Sequence, residues 1–151
     1  DIYLTDFKYM ENETARQYSA AEDYPERVKE ALEEMVRQTG EAVFDQQGMM
    51  KKGIIVRHLL LPGHVKNGKA VVKYVLETYG KTVWLSLMNQ YTPLEQTGRL
   101  ERFPELQRKV TRREYERLVD YAIDLGLENG FIQEGKTAEE SFIPAFDYEG
   151  L

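Results

Sequence analysis

The chain has 151 residues and a formal net charge of -6, and its hydrophobic (42%) and charged (30%) fractions are typical of one globular domain. It contains no cysteine, which excludes disulfides, thiolate-bound zinc, a cysteine nucleophile and an iron–sulfur cluster held by this chain alone. Its longest apolar runs, such as residues 59–61, are far shorter than the roughly 18 residues that span a bilayer, so we expect no membrane partner.

The sequence begins with a strand-like stretch, residues 2–7, and shows no signal-type segment before it. The absence of a visible targeting segment predicts a cytoplasmic protein. A complete domain seldom starts within a strand, so we expect the chain to be the C-terminal piece of a longer protein.

Helix and strand signals then alternate. Asp23, as an Asx cap, and Pro25 predict the start of a helix. Residues 42–48 indicate a short hairpin-like excursion. The near-continuous apolar run 54–61 is typical of a strand covered on both faces, and a Pro-Gly pair ends it.

The second half of the chain repeats this alternation. An Asn-Gly pair precedes a predicted helix over 69–79, a third strand is predicted over 83–88, and a polar loop over 92–109. Thr111, with Glu114 three residues later, forms a predicted capping box at the start of a third helix, and one more short strand is predicted from about residue 129.

This order predicts an α/β fold in which parallel βα units form the C-terminal half of a partial (β/α) TIM-like barrel. We expect a single domain, truncated at its N-terminus, with three parts: a half-barrel over 1–109 with strands about 2–7, 54–61 and 83–88, a C-terminal helix and short strand over 110–134, and a loosely packed acidic tail over 135–151. The middle of the chain is basic, but no nucleic-acid motif accompanies it, so we expect no nucleic-acid partner.

Ligands of parallel sheets bind beyond the carboxyl ends of the strands. Asp6 and Lys8 end the first strand on one face, where a local ion pair is the simpler interpretation. Arg57 interrupts an apolar strand, which is costly unless a partner or a ligand neutralises it. His58 has the opposite parity and is expected to bond a helix or loop group, and its spacing from His64 matches no zinc site.

Asn89, Gln90 and Tyr91 follow the third strand. Together with the acid and the cations of the other strand ends, they would suit a zwitterionic or carboxylate ligand with an aromatic moiety.

Three stretches in order, residues 1–9, 56–63 and 88–93, resemble the C-terminal half of radical S-adenosylmethionine proteins, in the group similar to pyruvate formate-lyase activating enzyme. The resemblance implies that Asp6, Lys8 and Arg57 hold S-adenosylmethionine. Tyr91 stands where those enzymes place a histidine near the adenine, and its ring could stack there.

The resemblance also implies a parent enzyme with a [4Fe–4S] cluster held by a CxxxCxxC loop. That enzyme would cleave S-adenosylmethionine reductively to a 5′-deoxyadenosyl radical, which abstracts hydrogen from a glycyl radical enzyme or another substrate. Since this chain has no cysteine, it is expected to hold no metal, to contain no catalytic residue and to be inactive without the missing N-terminal half.

Two other functions stay open: a stand-alone α/β module that binds a nucleotide or carboxylate, and a structural interaction domain. Because a cut barrel exposes the edge of its first strand, we also expect the isolated chain to self-associate.

Overall fold

The structure, a computed structural model, describes residues 2–93, 102–134 and 139–142. The main elements that these residues form are β1 (Ile2–Asp6), α1 (Asn12–Ser19), α2 (Tyr24–Thr39), β2 (Val43–Phe44), β3 (Met50–Leu59), α3 (Val65–Tyr79), β4 (Trp84–Met88), α4 (Arg112–Asp124), β5 (Gly130–Glu134) and β6 (Glu139–Phe142). Two short 3₁₀ helices, Gly80–Thr82 and Pro104–Gln107, lie between them.

All six strands belong to one sheet. β1, β3, β4 and β5 lie side by side in that order and run parallel, β6 pairs antiparallel with β5, and β2 pairs antiparallel with the start of β3. The predicted α/β class with parallel βα units is therefore confirmed. The described part of the sheet is open, and its closure into a barrel stays an expectation.

The two faces of the sheet differ in what covers them. One face packs against α2, α3 and α4 in a single apolar core, which includes Phe7, Val28, Leu32, Ile54, Val56, Val72, Leu85, Leu87 and Leu118. Alternation and strand register place a second set of side chains on the opposite face, outside that core: Leu4, Asp6, Ile55, Arg57, Trp84 and Ser86. We call this second set the open face, since its residues on β1 and β3 remain partly or fully exposed.

The helix starts illustrate how local sequence acts. The predicted capping box is confirmed: the Glu114 amide donates to the Thr111 hydroxyl, and the Thr111 amide donates to the Glu114 carboxylate. The prediction that the Asp23 side chain caps α2 is wrong. Asp23 occupies the N-cap position of α2, but its carboxylate pairs with Arg27 Nε at 2.9 Å instead of accepting from the helix backbone.

Several boundaries differ from the prediction for tertiary reasons. β3 starts before residue 54 because its first residues pair with β2. α3 starts at Val65, so the Asn-Gly pair lies inside the helix, where a Cβ on Gly68 would come within 3.0 Å of Leu118 Cδ1. The helix thus needs a glycine for close packing on α4 and not as a turn. α1 was not predicted.

The acidic tail is only partly described. Residues 139–142 form β6, which pairs with β5, and the loose packing of the tail stays a prediction. The rest of the tail from 135, and residues 94–101 of the predicted polar loop, lie outside the described residues. Among the helices that the structure describes, none is long and apolar enough to cross a membrane.

Candidate functional site

Two of the predicted site residues meet at the carboxyl edge of the sheet. Asp6 is the last residue of β1, Arg57 lies opposite it on β3, and Arg57 Nε donates to Asp6 Oδ1 over 2.7 Å. Both side chains are about 40% exposed on the open face. The carboxylate therefore balances the guanidinium that interrupts the apolar strand, and the ion pair remains accessible from solvent.

The ion pair leaves hydrogen-bonding capacity unused. Across the part of the chain that the structure describes, Asp6 is the one side-chain partner of Arg57, and it contacts only Nε. Both Nη groups are left to donate to a second carboxylate, and Asp6 Oδ2 is left to accept from an ammonium. The pair can thus receive both charged ends of an amino acid at once.

Lys8 lies two residues beyond the end of β1. Its side chain is exposed, and no ion pair joins its ammonium to another described residue. The local ion pair expected at this strand end therefore forms between Asp6 and Arg57, 51 residues apart, and not between Asp6 and Lys8. Lys8 adds a second cation on the same short segment as Asp6.

The backbone that carries Asp6 and Lys8 is held by side chains. The Tyr24 hydroxyl donates to the Asp6 carbonyl at 2.8 Å and accepts from the Lys8 amide at 2.9 Å. His58 Nδ1 lies 2.8 Å from the Phe7 carbonyl. The prediction that His58 bonds a helix or loop group is confirmed, since Phe7 is the first residue after β1.

His58 is 1% exposed, and its Nε2 has no hydrogen-bond partner among the described residues. Burial lowers the pKa of His58, because a charged imidazole would lose its hydration there. With Nδ1 against a carbonyl oxygen, the neutral ring carries its hydrogen on Nδ1 and donates to Phe7. The histidine is therefore a fixed structural donor behind the site.

Tyr91 belongs to a second apolar cluster at the same edge of the sheet. This cluster is built from Tyr9, Ala15, Tyr18 and Leu106, with Tyr24, Leu61, Tyr91 and Phe103 packed around it. The Tyr91 hydroxyl donates to the Leu106 carbonyl at 2.9 Å, and burial raises its pKa. Its hydroxyl is thus used internally, and stacking of its ring on an adenine stays a prediction.

Three titratable side chains in this cluster, which were not predicted from the sequence, are linked by hydrogen bonds. The Tyr18 hydroxyl lies 2.5 Å from both Glu105 Oε1 and His64 Nε2. Because the hydroxyl donates to the carboxylate, the imidazole must donate to the hydroxyl oxygen. Burial, followed by the contact with Glu105, raises the pKa of Tyr18 well above its ordinary value. The three residues connect α1, the turn before α3 and the segment after β4. They are far apart in the sequence and form no recognisable motif.

Glu114 closes the same edge from α4. Its carboxylate accepts from both Nη groups of Arg108 (2.7 and 3.0 Å), from the Gly63 amide (2.7 Å) and from the Thr111 amide (2.9 Å). These donors lower the pKa of Glu114 to about 2, with the hydrogen bonds from Arg108 as the largest cause. The glutamate that caps its own helix therefore also fixes the Pro-Gly turn after β3.

A separate groove of about 510 Å³ opens between α3 and α4, and it contains none of the predicted site residues. Its charges are mixed, so it favours neither an anion nor a cation; its lining is Val65, Lys66, Lys69, Arg117, Asp120, Tyr121 and Asp124. In the described ranges, no group of three or more His, Cys, Asp or Glu side chains could hold a metal ion.

Comparisons with known proteins leave the family open. No protein-family model matches the chain, and no solved structure matches it significantly. The chain is 23% identical over 129 residues to a protein of Methanocaldococcus jannaschii named "Uncharacterized protein MJ0674". The alignment covers 85% of this chain and 33% of that protein, so the chain spans about a third of the length of the curated relative that it matches.

Proposed function

We propose that the chain is the S-adenosylmethionine-holding part of a radical S-adenosylmethionine enzyme similar to pyruvate formate-lyase activating enzyme. The observation that carries the proposal is the accessible ion pair between Asp6 and Arg57 at adjacent strand ends, with the guanidinium Nη groups unused. The aminoacyl end of S-adenosylmethionine has one carboxylate and one ammonium. These groups match the donors of Arg57 and the second carboxylate oxygen of Asp6.

The parallel sheet supports the same proposal. Its open face presents the ion pair at the carboxyl ends of β1 and β3, where α/β sheets bind their ligands. Lys8 lies beside the pair along the chain and adds attraction for the ligand carboxylate. Residues 89–93 follow β4 at the same edge, and Tyr91 is the candidate for the adenine end of the ligand.

The residues of this chain fit S-adenosylmethionine but not an iron–sulfur cluster, because the sequence has no cysteine. In the family, bound S-adenosylmethionine supplies a 5′-deoxyadenosyl radical once an electron reaches it. The part that we assign to this chain is to bind and orient: Arg57 holds the carboxylate, Asp6 holds the ammonium, and the fixed backbone around Phe7 keeps Asp6 in place. Cluster ligands, the glycyl radical enzyme or other substrate, and the activity belong to the proposed longer protein.

A second candidate function is a binding module that takes a free carboxylate-bearing ligand and performs no chemistry. The absence of cysteine favours it, since every described feature of the Asp6–Arg57 pair works without a redox centre. The two proposals differ in their ligand. The radical enzyme requires the adenosyl group, whereas the module would bind methionine or a similar amino acid as tightly as S-adenosylmethionine.

Calorimetric titration of the full-length protein separates these functions. We expect S-adenosylmethionine to bind more tightly than methionine, and Arg57→Ala to weaken its binding by about 1.5–3 kcal/mol, the usual strength of a hydrogen bond to a charged group. Arg112→Ala is the matched control, because that side chain is 93% exposed and, among the described residues, pairs only with Glu116. The Arg112→Ala protein should bind S-adenosylmethionine with the affinity of the wild type.

A second readout tests the chemistry. With a reconstituted cluster and dithionite, the full-length protein should release 5′-deoxyadenosine, and Arg57→Ala should reduce the rate at low S-adenosylmethionine concentration. Unchanged affinity of a normally folded Arg57→Ala protein would remove Arg57 from the site. Binding of methionine as tight as that of S-adenosylmethionine, without release of 5′-deoxyadenosine, would support the binding module instead.

A further inference from the structure

We infer that Asn67 is a positioning residue of the ligand site: it fixes the backbone on both sides of Tyr9 so that Asp6 and Lys8 face the ligand in one geometry. The inference rests on the proposed function, because it assigns to Asn67 the task of presenting the ligand-holding side chains.

The contacts of Asn67 are specific. Its Nδ2 donates to the Lys8 carbonyl and its Oδ1 accepts from the Met10 amide, each over 2.9 Å. An asparagine amide that binds a carbonyl and the amide two residues later imitates the pairing of a neighbouring strand. Asn67 lies in the first turn of α3, 59 residues after Lys8 and 57 residues after Met10, so both contacts are tertiary.

Asn67 completes a set of contacts that replaces the sheet where β1 ends. Pairing with β3 stops after the Phe7 amide, which donates to the Arg57 carbonyl at 2.8 Å. From there, residues 6–10 are held by the Tyr24 hydroxyl, the His58 ring and the Asn67 amide. Three different elements thus fix the last residue of β1 and the four residues that follow it.

These contacts require residues in α3 that disfavour a helix. Asparagine and glycine are both weak helix formers, yet they stand together inside α3 as Asn67 and Gly68. Gly68 is explained by its close approach to Leu118. Asn67 is needed for its hydrogen bonds to residues 8 and 10. Leucine or alanine at position 67 would favour the helix but would lose those hydrogen bonds. Lys8 is exposed, so its backbone hydrogen bonds are what fix the origin of its side chain.

Asn67→Ala in the full-length protein tests the inference, and Asn129→Ala is the matched control. Asn129 also donates its Nδ2 to a backbone carbonyl, that of Lys81 at 2.6 Å, but on the opposite side of β4 from Asp6. We measure the unfolding midpoint in urea, hydrogen exchange of the Met10 amide, and the dissociation constant for S-adenosylmethionine.

We expect Asn67→Ala to raise the exchange rate of the Met10 amide and to weaken binding by about tenfold, the effect of one to two net hydrogen bonds lost at the site. Asn67→Asp retains the acceptor for Met10 and should lose less protection of that amide than Asn67→Ala. Asn129→Ala should lower the unfolding midpoint to a similar degree while leaving both the Met10 exchange rate and the dissociation constant unchanged.

The outcomes separate this inference from the proposed function. If Arg57→Ala weakens binding and Asn67→Ala does not, the ligand site stands and the positioning role of Asn67 is wrong. The role is also wrong if Asn129→Ala weakens binding as much as Asn67→Ala, because the effect then follows global stability. If the wild-type protein does not bind S-adenosylmethionine, the proposed function fails, and the positioning role fails with it even where Met10 exchange responds.

Discussion

Replacing Glu114 with glutamine should destabilise the fold by about 2 kcal/mol at pH 7. The carboxylate accepts four N–H donors, from Arg108, Gly63 and Thr111, and a glutamine amide would turn its NH₂ group toward some of them. Lowering the pKa from its ordinary value of 4.5 to about 2 corresponds to at most about 3.4 kcal/mol. Because the Arg108 side chain is 46% exposed, solvent screens its contribution, and we expect the smaller value.

The pH dependence has a definite sign. The folded state holds the pKa of Glu114 below its unfolded value, so the stabilisation is fully present above pH 4.5 and is lost as the pH falls toward 2. The difference in unfolding free energy between wild type and Glu114→Gln should therefore shrink to less than half between pH 7 and pH 3. Urea titrations followed by the fluorescence of Trp84, the single tryptophan and 2% exposed, measure both values.

Glu116→Gln is the control on the same helix. Within the described part of the chain Glu116 pairs only with Arg112, and both side chains are largely exposed, so its replacement should change stability by no more than about 0.5 kcal/mol. Equal losses for the two variants, or a loss at Glu114→Gln that does not depend on pH, would refute the assignment of Glu114 as the anchor of the turn after β3.

Two further predictions concern packing at the same edge. Tyr18→Phe should lower the unfolding free energy by about 1–3 kcal/mol, since the Glu105 carboxylate and a histidine lose their shared hydroxyl; Tyr3→Phe, which removes an exposed hydroxyl contact, should cost less than about 1 kcal/mol in the same urea titration. Gly68→Ala should lack the gain of about 1 kcal/mol that alanine brings to an open helix position and should cost up to about 2 kcal/mol net, because the added methyl would lie 3.0 Å from Leu118 Cδ1. A variant stabilised by the full helix-propensity gain would contradict the close packing of α3 on α4.

The sequence predicted those elements whose signals are local. The capping box of α4, the apolar run of β3 and the helix after Asp23 depend on neighbouring residues, and all three elements are present. α1 gave no such signal: it has eight residues, its N-cap is Glu11, and no side chain caps it. Its Tyr18 and Ala15 are buried in the second cluster, so tertiary packing stabilises this helix.

The candidate site shows the same limit more sharply. Asp6 and Arg57 could each be identified from the sequence, as an acid at a strand end and a cation in an apolar strand. Their pairing depends on the register between β1 and β3, which the sequence does not display. The Asn-Gly pair at 67–68 was expected to precede the helix, whereas the structure places both residues inside α3.

The position of Asn67 and Gly68 inside α3 bears on the proposed function. Asparagine and glycine within a helix each disfavour it by several tenths of a kcal/mol or more relative to alanine, so their presence indicates contacts elsewhere that compensate. Here both compensating contacts are made from the start of α3. Gly68 allows α3 to pack close to α4, and Asn67 binds the segment that carries Lys8. The contacts that weaken the helix locally are those that hold the strand ends in one arrangement. The ligand site that we propose, in which an acid and two cations contact a single ligand, would require that rigidity, whereas a domain that serves only as a spacer would not.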